Sequence, residues 1–224
     1  MIKKSRLILS VLLILILSCS KKLKLNENNI FRYNEHSNIS SLDPAYSSTL
    51  RNIWPVNQLY NGLVQLDDSL NIQPDLASKW VISKDGITYD FLIKKNIYFH
   101  KSNVFGKDST RSVNAQDFEY SFKRLKDSQL GSPGSWVLNN VDSFSALNDS
   151  IFSIRLKKPF AAFLGILSMK YCSVVPKEAV EFYGAKFGKN PIGTGPFKFK
   201  KWEENIKLAV SYTHLRAHET EADL

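Results

Sequence analysis

Cysteine is nearly absent from this 224-residue chain, which holds only Cys19 and Cys172. One disulfide at most is possible, so a small disulfide-stapled scaffold is excluded. Ten Gly and eight Pro are too few for a collagen-like or low-complexity chain. An apolar share of 43% is too high for general disorder. Acidic residues are outnumbered, 21 Asp and Glu against 30 Lys and Arg, for a formal net charge of +9. Nucleic acid would call for that excess in one run or along one helix face. Beyond the N-terminus it is dispersed, as on a solvated basic surface, and no nucleic-acid partner is expected. Enzyme signatures are missing as well: there is no G-x-S-x-G and no Cys with a plausible His partner. Gly184-Ala185-Lys186-Phe187-Gly188-Lys189-Asn190 approaches a phosphate-binding loop but is one residue short and ends in Asn where a hydroxyl belongs. The length suits one large domain or two small ones.

What is present begins at the N-terminus. Lys3, Lys4 and Arg6 precede Leu7–Leu17, an aliphatic run broken only by Ser10. As a helix that run reaches about 18 Å, short of a ~30 Å hydrocarbon core, so it fits the h-region of a secretory signal better than a membrane span. Ile16-Leu17-Ser18-Cys19-Ser20 follows. An aliphatic residue, then a small one directly before Cys, resembles the lipobox of bacterial lipoproteins, although Leu17 is bulkier than usual. The resemblance implies removal of residues 1–18 and lipid attachment at Cys19, with residues 19–30 as a polar tether. Cys172 is then a lone thiol, read as a small buried hydrophobe. A secreted domain without disulfides must be held by its core.

Periodicity predicts a mixed α/β (α+β) chain without internal repeats. Strands are expected over Ile30–Tyr33, at Ile87, Tyr89, Phe91 and Ile93, and at Phe152, Ile154 and Leu156; Pro196–Trp202 and Ile206–Val210 read as a final strand pair. Leu42-Asp43-Pro44 marks a turn. Leu50–Gly62 reads as a helix kinked near Pro55, with Leu50, Ile53, Trp54, Leu59 and Tyr60 as its apolar set. Asn114 can cap a helix with Asp117 three places on, ahead of a Phe118, Phe122, Leu125 stripe. Pro176 can open another, through Ala179, Val180 and Tyr183 to Gly184 or Gly188. Glu203 and Glu204 are adjacent and read as a solvated strand edge. In the tail, His214 and His218 are four apart, but Ala222 stands where an H-E-x-x-H motif needs its second His, so no metal site is expected. Ser211–Thr220 resembles translated sequencing-adapter read-through, and residues 211–224 are read as a non-native tail.

Between Leu42 and Trp202 an ordered series of short motifs resembles the family 5 extracellular solute-binding proteins, the peptide and nickel receptors of ABC importers. Leu42-Asp43-Pro44 is similar to their S-L-D-P, and Leu59-Tyr60-Asn61-Gly62-Leu63-Val64 to L-Y-E-G-L-V. Pro74–Trp80 resembles P-x-L-A-x-S-W, and Asp85–Phe91 resembles D-G-x-T-Y-T-F, followed by Phe99-His100. Ala115–Ser121 resembles A-x-D-V-x-Y-S, and Gly193-Thr194-Gly195-Pro196-Phe197 resembles G-T-G-P-Y. After Phe99-His100 the family's Asp-Gly turn is replaced by Lys101-Ser102, and Val104–Arg111 lengthens the loop.

The resemblance implies a periplasmic-binding-protein-like two-lobe fold. Residues 31–45 and 170–210 would be parts of the first lobe and 46–169 an inserted subdomain, with the second lobe outside this sequence. It implies a lipid-anchored envelope receptor, without cofactor, whose partners are a peptide or other small solute and the membrane subunits of an ABC transporter. A nickel chelate, a sugar, or a structural or signalling role is the alternative. Asn38 and Ile39 fall where the family's first lobe presents an edge to ligand, and Trp136 falls near an aromatic that overhangs the cleft. With one wall only, this chain is expected neither to bind tightly nor to close.

Mass spectrometry of the membrane-extracted N-terminal peptide tests the leader. The expected species begins at a lipidated Cys19; mature protein with an unmodified Cys19 thiol would show that the lipobox reading is wrong.

Overall fold

A computed structural model describes residues 32–34 and 37–213. The expectations for the leader, for Cys19 and for His214 and His218 lie outside those residues. Arg32, Tyr33 and Asn34 form no regular secondary structure, so the strand expected over Ile30–Tyr33 is not present at its described residues. A strand exists only where a neighbour answers its N–H and C=O groups, and a short residue pattern does not supply one.

From Ser37 onward the chain mixes helices with three antiparallel sheets. The largest has four strands in the order β3 (Ala77–Ile82), β4 (Thr88–Ile93), β6 (Ile151–Leu156), β5 (Val141–Asn148). β1 (Val64–Leu66) pairs with β2 (Ile72–Pro74), and β7 (Phe197–Glu203) pairs with β8 (Lys207–Tyr212). The helices are α1 (Leu50–Leu59), α2 (Ala115–Lys126), α3 (Phe163–Leu167) and α4 (Lys177–Tyr183). Among the described residues no helix is long and apolar enough to cross a membrane.

The central strands follow their alternation. Tyr89, Phe91 and Ile93 of β4 and Phe152, Ile154 and Leu156 of β6 are buried, with Phe91 opposite Phe152 in the ladder. That face is covered by α2. Asn114 Oδ1 accepts from the Asp117 N–H at 3.1 Å and Asp117 Oδ2 accepts from the Asn114 N–H at 3.0 Å, closing a capping box. The helix then lays Phe118, Phe122 and Leu125 onto the sheet. Phe122 meets Phe152 edge-on at 5.2 Å between ring centroids, and Phe118 lies 5.9 Å from the same ring.

α1 forms with Pro55 inside it and buries Leu59, and Tyr60 after it, as expected, but its other buried positions are Asn52 and Val56 rather than Leu50, Ile53 and Trp54. Leu50 and Trp54 are exposed. Asn52 turns inward because its amide is used there: Oδ1 accepts from the Ser40 N–H at 3.1 Å, and Nδ2 donates to Ser40 Oγ at 2.8 Å. A hydrogen-bonded amide thus takes a core position that hydropathy alone assigns elsewhere. α4 opens after Pro176 and ends at Gly184, and a 3-10 turn continues to Lys189. β8 runs on to Tyr212, which pairs with Phe197, so Ser211 and Tyr212 are strand residues.

Two charged clusters tie these elements together. Asp43 caps the 44–46 turn by accepting from the Ala45 N–H at 3.0 Å, and its carboxylate takes both Arg124 nitrogens at 2.9 and 2.5 Å. The Asp43 side chain is buried, 4% exposed, that of Arg124 is 13% exposed, and the Arg124 guanidinium lies 5.6 Å over the Phe187 ring. Arg111 reaches Asp117 at 2.7 and 2.8 Å and Glu178 at 2.6 and 2.7 Å, fastening the start of α2 to α4. The hydrogen bond from Arg111 holds the Glu178 carboxyl below its ordinary range.

Removing one member of a buried ion pair strands the other, at a cost of about 3–5 kcal/mol. Asp43→Asn should therefore lower the unfolding free energy by that amount, read as a lower denaturant midpoint with an unchanged slope, whereas the double change Asp43→Asn with Arg124→Met should cost less. A single-variant loss under about 1 kcal/mol would mean that the pair behaves like a solvated one.

Candidate functional site

The Leu59–Leu63 segment that follows α1 is a crossroads. The Leu59 carbonyl accepts from the Gly195 N–H at 2.9 Å, the Asn61 carbonyl from the Val174 N–H at 3.0 Å, and the Gly62 carbonyl from the Leu76 N–H at 3.0 Å. Side chains repeat the pattern. Asn61 Nδ2 donates to Asp75 Oδ1 at 2.9 Å, Asp75 Oδ2 accepts from the Gly62 N–H at 2.9 Å, and Thr194 Oγ1 donates to Asn61 Oδ1 at 2.9 Å. His100 joins from the loop after Phe99: its N–H donates to the Gly193 carbonyl and its Nε2 to the Gly195 carbonyl, both at 2.8 Å. Burial pushes the Asp75 carboxyl up, partly opposed by the Gly62 N–H and the Lys170 charge. Burial pushes the Lys170 ammonium down, opposed by Asp75.

Gly193 and Gly195 permit this meeting. A Cβ at Gly193 would overlap the Leu59 carbonyl oxygen and the Tyr60 ring, and one at Gly195 would overlap the Gln58 carbonyl oxygen. The motifs around residues 59–64, 74–80, 99–100 and 193–197 therefore converge on packed main chain. They build a frame and leave little surface for a ligand.

The open surface lies beside that frame. Asn38 and Ile39 line a recess of about 260 Å³ together with Ser40, Lys189, Trp202, Glu204 and Asn205. Asn38 is exposed, and Ile39 is half-buried and packed against the core. Asn52 holds the segment through Ser40, and Lys189 pairs with Glu204 at the opposite wall. Asn205 makes the β7–β8 turn in the left-handed region, φ 61°.

Trp136 is elsewhere and does not line this recess. It sits in the 3-10 turn Ser135–Leu138, 46% exposed. Its loop is fixed from below: Ser132 Oγ donates to the Ala45 carbonyl at 2.6 Å and accepts from the Gly134 N–H at 3.0 Å, and Gly134 lies against the Tyr171 ring. The structure thus brings Asn38 and Ile39 together, adds Lys189, Trp202, Glu204 and Asn205, and keeps Trp136 apart. The added residues come from far along the chain, Lys189 from the 3-10 turn after α4, Trp202 from β7, and Glu204 and Asn205 from the turn that follows it. Asn205 between two alternating runs was the one local signal for them. Among the described residues no three His, Cys, Asp or Glu side chains gather as a metal-binding group.

Three antiparallel sheets thus meet around a glycine-dependent crossroads, with an open recess at one side. The family model for bacterial extracellular solute-binding proteins, family 5 (middle portion), matches residues 71–212, and the chain belongs to that family. It is a family of solute-binding transport proteins, not of enzymes. The glutathione-binding protein GsiB of Escherichia coli is 28% identical over 174 residues, which are 78% of this chain and 32% of GsiB. Among solved structures, the periplasmic binding protein DppA from Helicobacter pylori, in complex with the peptide STSA, is similar with a TM-score of 0.70 and 30% identity. The match covers 78% of this chain and 37% of that one. NikZ from Campylobacter jejuni, in complex with Ni(L-His), gives a TM-score of 0.68 and 32% identity, covering 81% of this chain and 34% of that one. The chain thus spans about a third of the length of these relatives.

If the glycines serve packing, Gly193→Ala should cost about 1–3 kcal/mol, as overfilling a tight site does. Thr194→Ser, which keeps the hydroxyl that donates to Asn61, should cost little. Thermal melts of the two variants check this, and an unchanged midpoint for Gly193→Ala would show that the segments can part freely.

Proposed function

We propose that this chain is part of the solute receptor of an ABC importer, that its solute is a di- or oligopeptide, and that the receptor is exported and lipid-anchored at Cys19. The observation that carries the reading is the family match over residues 71–212, joined to a neighbour at 30% identity that holds a peptide. The four-stranded sheet and α2 lie wholly within residues 46–169, which supports reading them as an inserted subdomain. Residues 31–45 and 170–210 are then parts of the first lobe.

The mechanism is capture without covalent chemistry. A peptide lying extended offers N–H and C=O groups at regular intervals, so affinity comes from its main chain and side-chain identity can vary. The Ser37–Ser40 edge suits that role because Asn52 presets it, which lowers the ordering cost at binding. Trp136, held outward on a fixed loop, supplies an aromatic face to a side chain or to the backbone. Two lobes closing by a hinge complete the site, and periplasmic binding proteins are the handiest example of that motion. The closed form is what the membrane subunits recognise. A nickel chelate is the second reading, favoured by the Campylobacter jejuni neighbour.

Native mass spectrometry of the protein purified from its own cells tests the proposal. The expected result is a population carrying small peptides that are released on denaturation. In Trp136→Ala that population should shrink, with affinity weaker by about 2 kcal/mol, while the melting temperature barely moves, because the side chain is half exposed. A bound nickel–histidine mass in place of peptide would move the assignment to the second reading. Finding neither, with no response to added peptides, would overturn solute capture.

A further inference from the structure

A second recess, of about 120 Å³, opens between the loop after Phe99 and the first residues of β7. His100, Lys101, Ser102, Tyr183, Lys198 and Phe199 are among its walls, and it shares no lining residue with the Asn38 recess. Its volume is well below the ~300–1,000 Å³ of sites for larger organic ligands, so one small group fits it and a peptide does not.

The charge around this recess is of one sign. Lys198 is half-buried at its edge, close enough to Lys101 and Lys200 to feel both. Five lysines elsewhere are ion-paired, Lys123 to Glu119, Lys177 to Glu181, Lys189 to Glu204, and Lys201 and Lys207 to Glu203, while exposed lysines such as Lys79, Lys84 and Lys95 have no ion-pair partner among the described residues; Lys198 differs from both groups in being half-buried at a recess. The buried Lys170 has Asp75 nearby. Among the described residues no carboxylate lies within ion-pairing distance of Lys101, Lys198 or Lys200. Burial, with the charges of Lys200 and Lys101, holds the Lys198 ammonium below its ordinary range. Lys101 and Lys198 at a concave, partly dry place, with Lys200 nearby, raise the local potential, and an anion is what lowers it. Ammonium groups and the Ser102 and Tyr183 hydroxyls are hydrogen-bond donors, which oxygen anions accept.

The geometry points to a binding site for one small oxyanion, of phosphate or carboxylate size, held between Lys101 and Lys198 and bounded by Ser102 and Tyr183. The site stands apart from solute capture and holds whether or not the solute is a peptide. Its occupant joins the His100 loop to β7 through a bridging charge, so occupancy should stiffen both.

The test is a titration of the 224-residue chain with inorganic phosphate at fixed ionic strength, with chloride as the balancing salt, reading the melting temperature. A saturable rise is expected, because a ligand that binds only the folded form stabilises it. Lys198→Gln removes a repelled charge, so it should not lower the midpoint without phosphate. It should weaken phosphate binding by at least about tenfold, as loss of a charge-assisted contact does. Lys101→Gln, on an exposed side chain, should do the same. Lys201→Gln, whose partner is Glu203, should titrate like the parent. A parallel acetate titration separates the occupants: saturation by phosphate alone assigns a tetrahedral anion, and saturation by both assigns a site that also takes carboxylates. A rise that does not saturate, or is equal in chloride, or survives both Lys198→Gln and Lys101→Gln, reflects screening of the net positive charge and overturns the site.

Discussion

Main-chain groups of the Leu59–Leu63 segment take hydrogen bonds from residues 75–77, 174 and 195, which are distant in sequence. At residues 193–195 the two backbones lie closer together than a Cβ allows, and Gly193 and Gly195 provide the approach. The rest of the fold is arranged around that requirement. β1 and β2 start from it, β7 leaves it, and His100 is drawn in by two of its carbonyls. The recess beside Asn38 and the one beside Lys198 both border the ribbon that issues from this meeting point. A shift of the glycine segment would therefore move both.

Ion pairing divides the labour differently from burial of apolar surface. The Phe-rich layer between α2 and the four-stranded sheet is non-directional and tolerates small displacements. The Asp43–Arg124 and Arg111–Asp117–Glu178 clusters are directional. Each joins segments that the Phe layer does not connect, the first reaching from the 44–46 turn to the end of α2 and the second from the loop before α2 to α4. A cluster that satisfies every charge it buries specifies one arrangement more sharply than it stabilises it. Against a net charge of +9, these carboxylates are placed where a cation would otherwise be buried alone.

Where one face of an element is dry, the sequence announced it. The alternation at Tyr89, Phe91 and Ile93 and at Phe152, Ile154 and Leu156, and the cap at Asn114 with its stripe, needed no tertiary information. β3 escaped notice because it is an edge strand whose Ser78, Lys79, Val81 and Ile82 are all exposed, leaving no period to read. β5 carries the same defect, and β1 and β2 are three residues each. The burial of Asn52 was invisible because its reason, Ser40, lies in another segment. Of the proposed binding surface, Asn38, Ile39 and Trp136 were reached through resemblance and not through local pattern. Asn205 between two strand runs marked a turn, but that Lys189, Trp202 and Glu204 share a recess with Asn38 was beyond reach, since a recess is a property of the packed chain.

Cys172 is buried, and burial pushes its thiol up to about 12. At neutral pH the folded chain therefore holds it as the thiol and not as the thiolate that exchange chemistry needs. In an oxidising compartment the native chain is thus chemically silent, while the same residue in an unfolded chain is an ordinary nucleophile. Its exposure to disulfide catalysts is limited to the interval before the core closes around residues 166–174. The cysteine serves as a timer that runs only until the protein is folded.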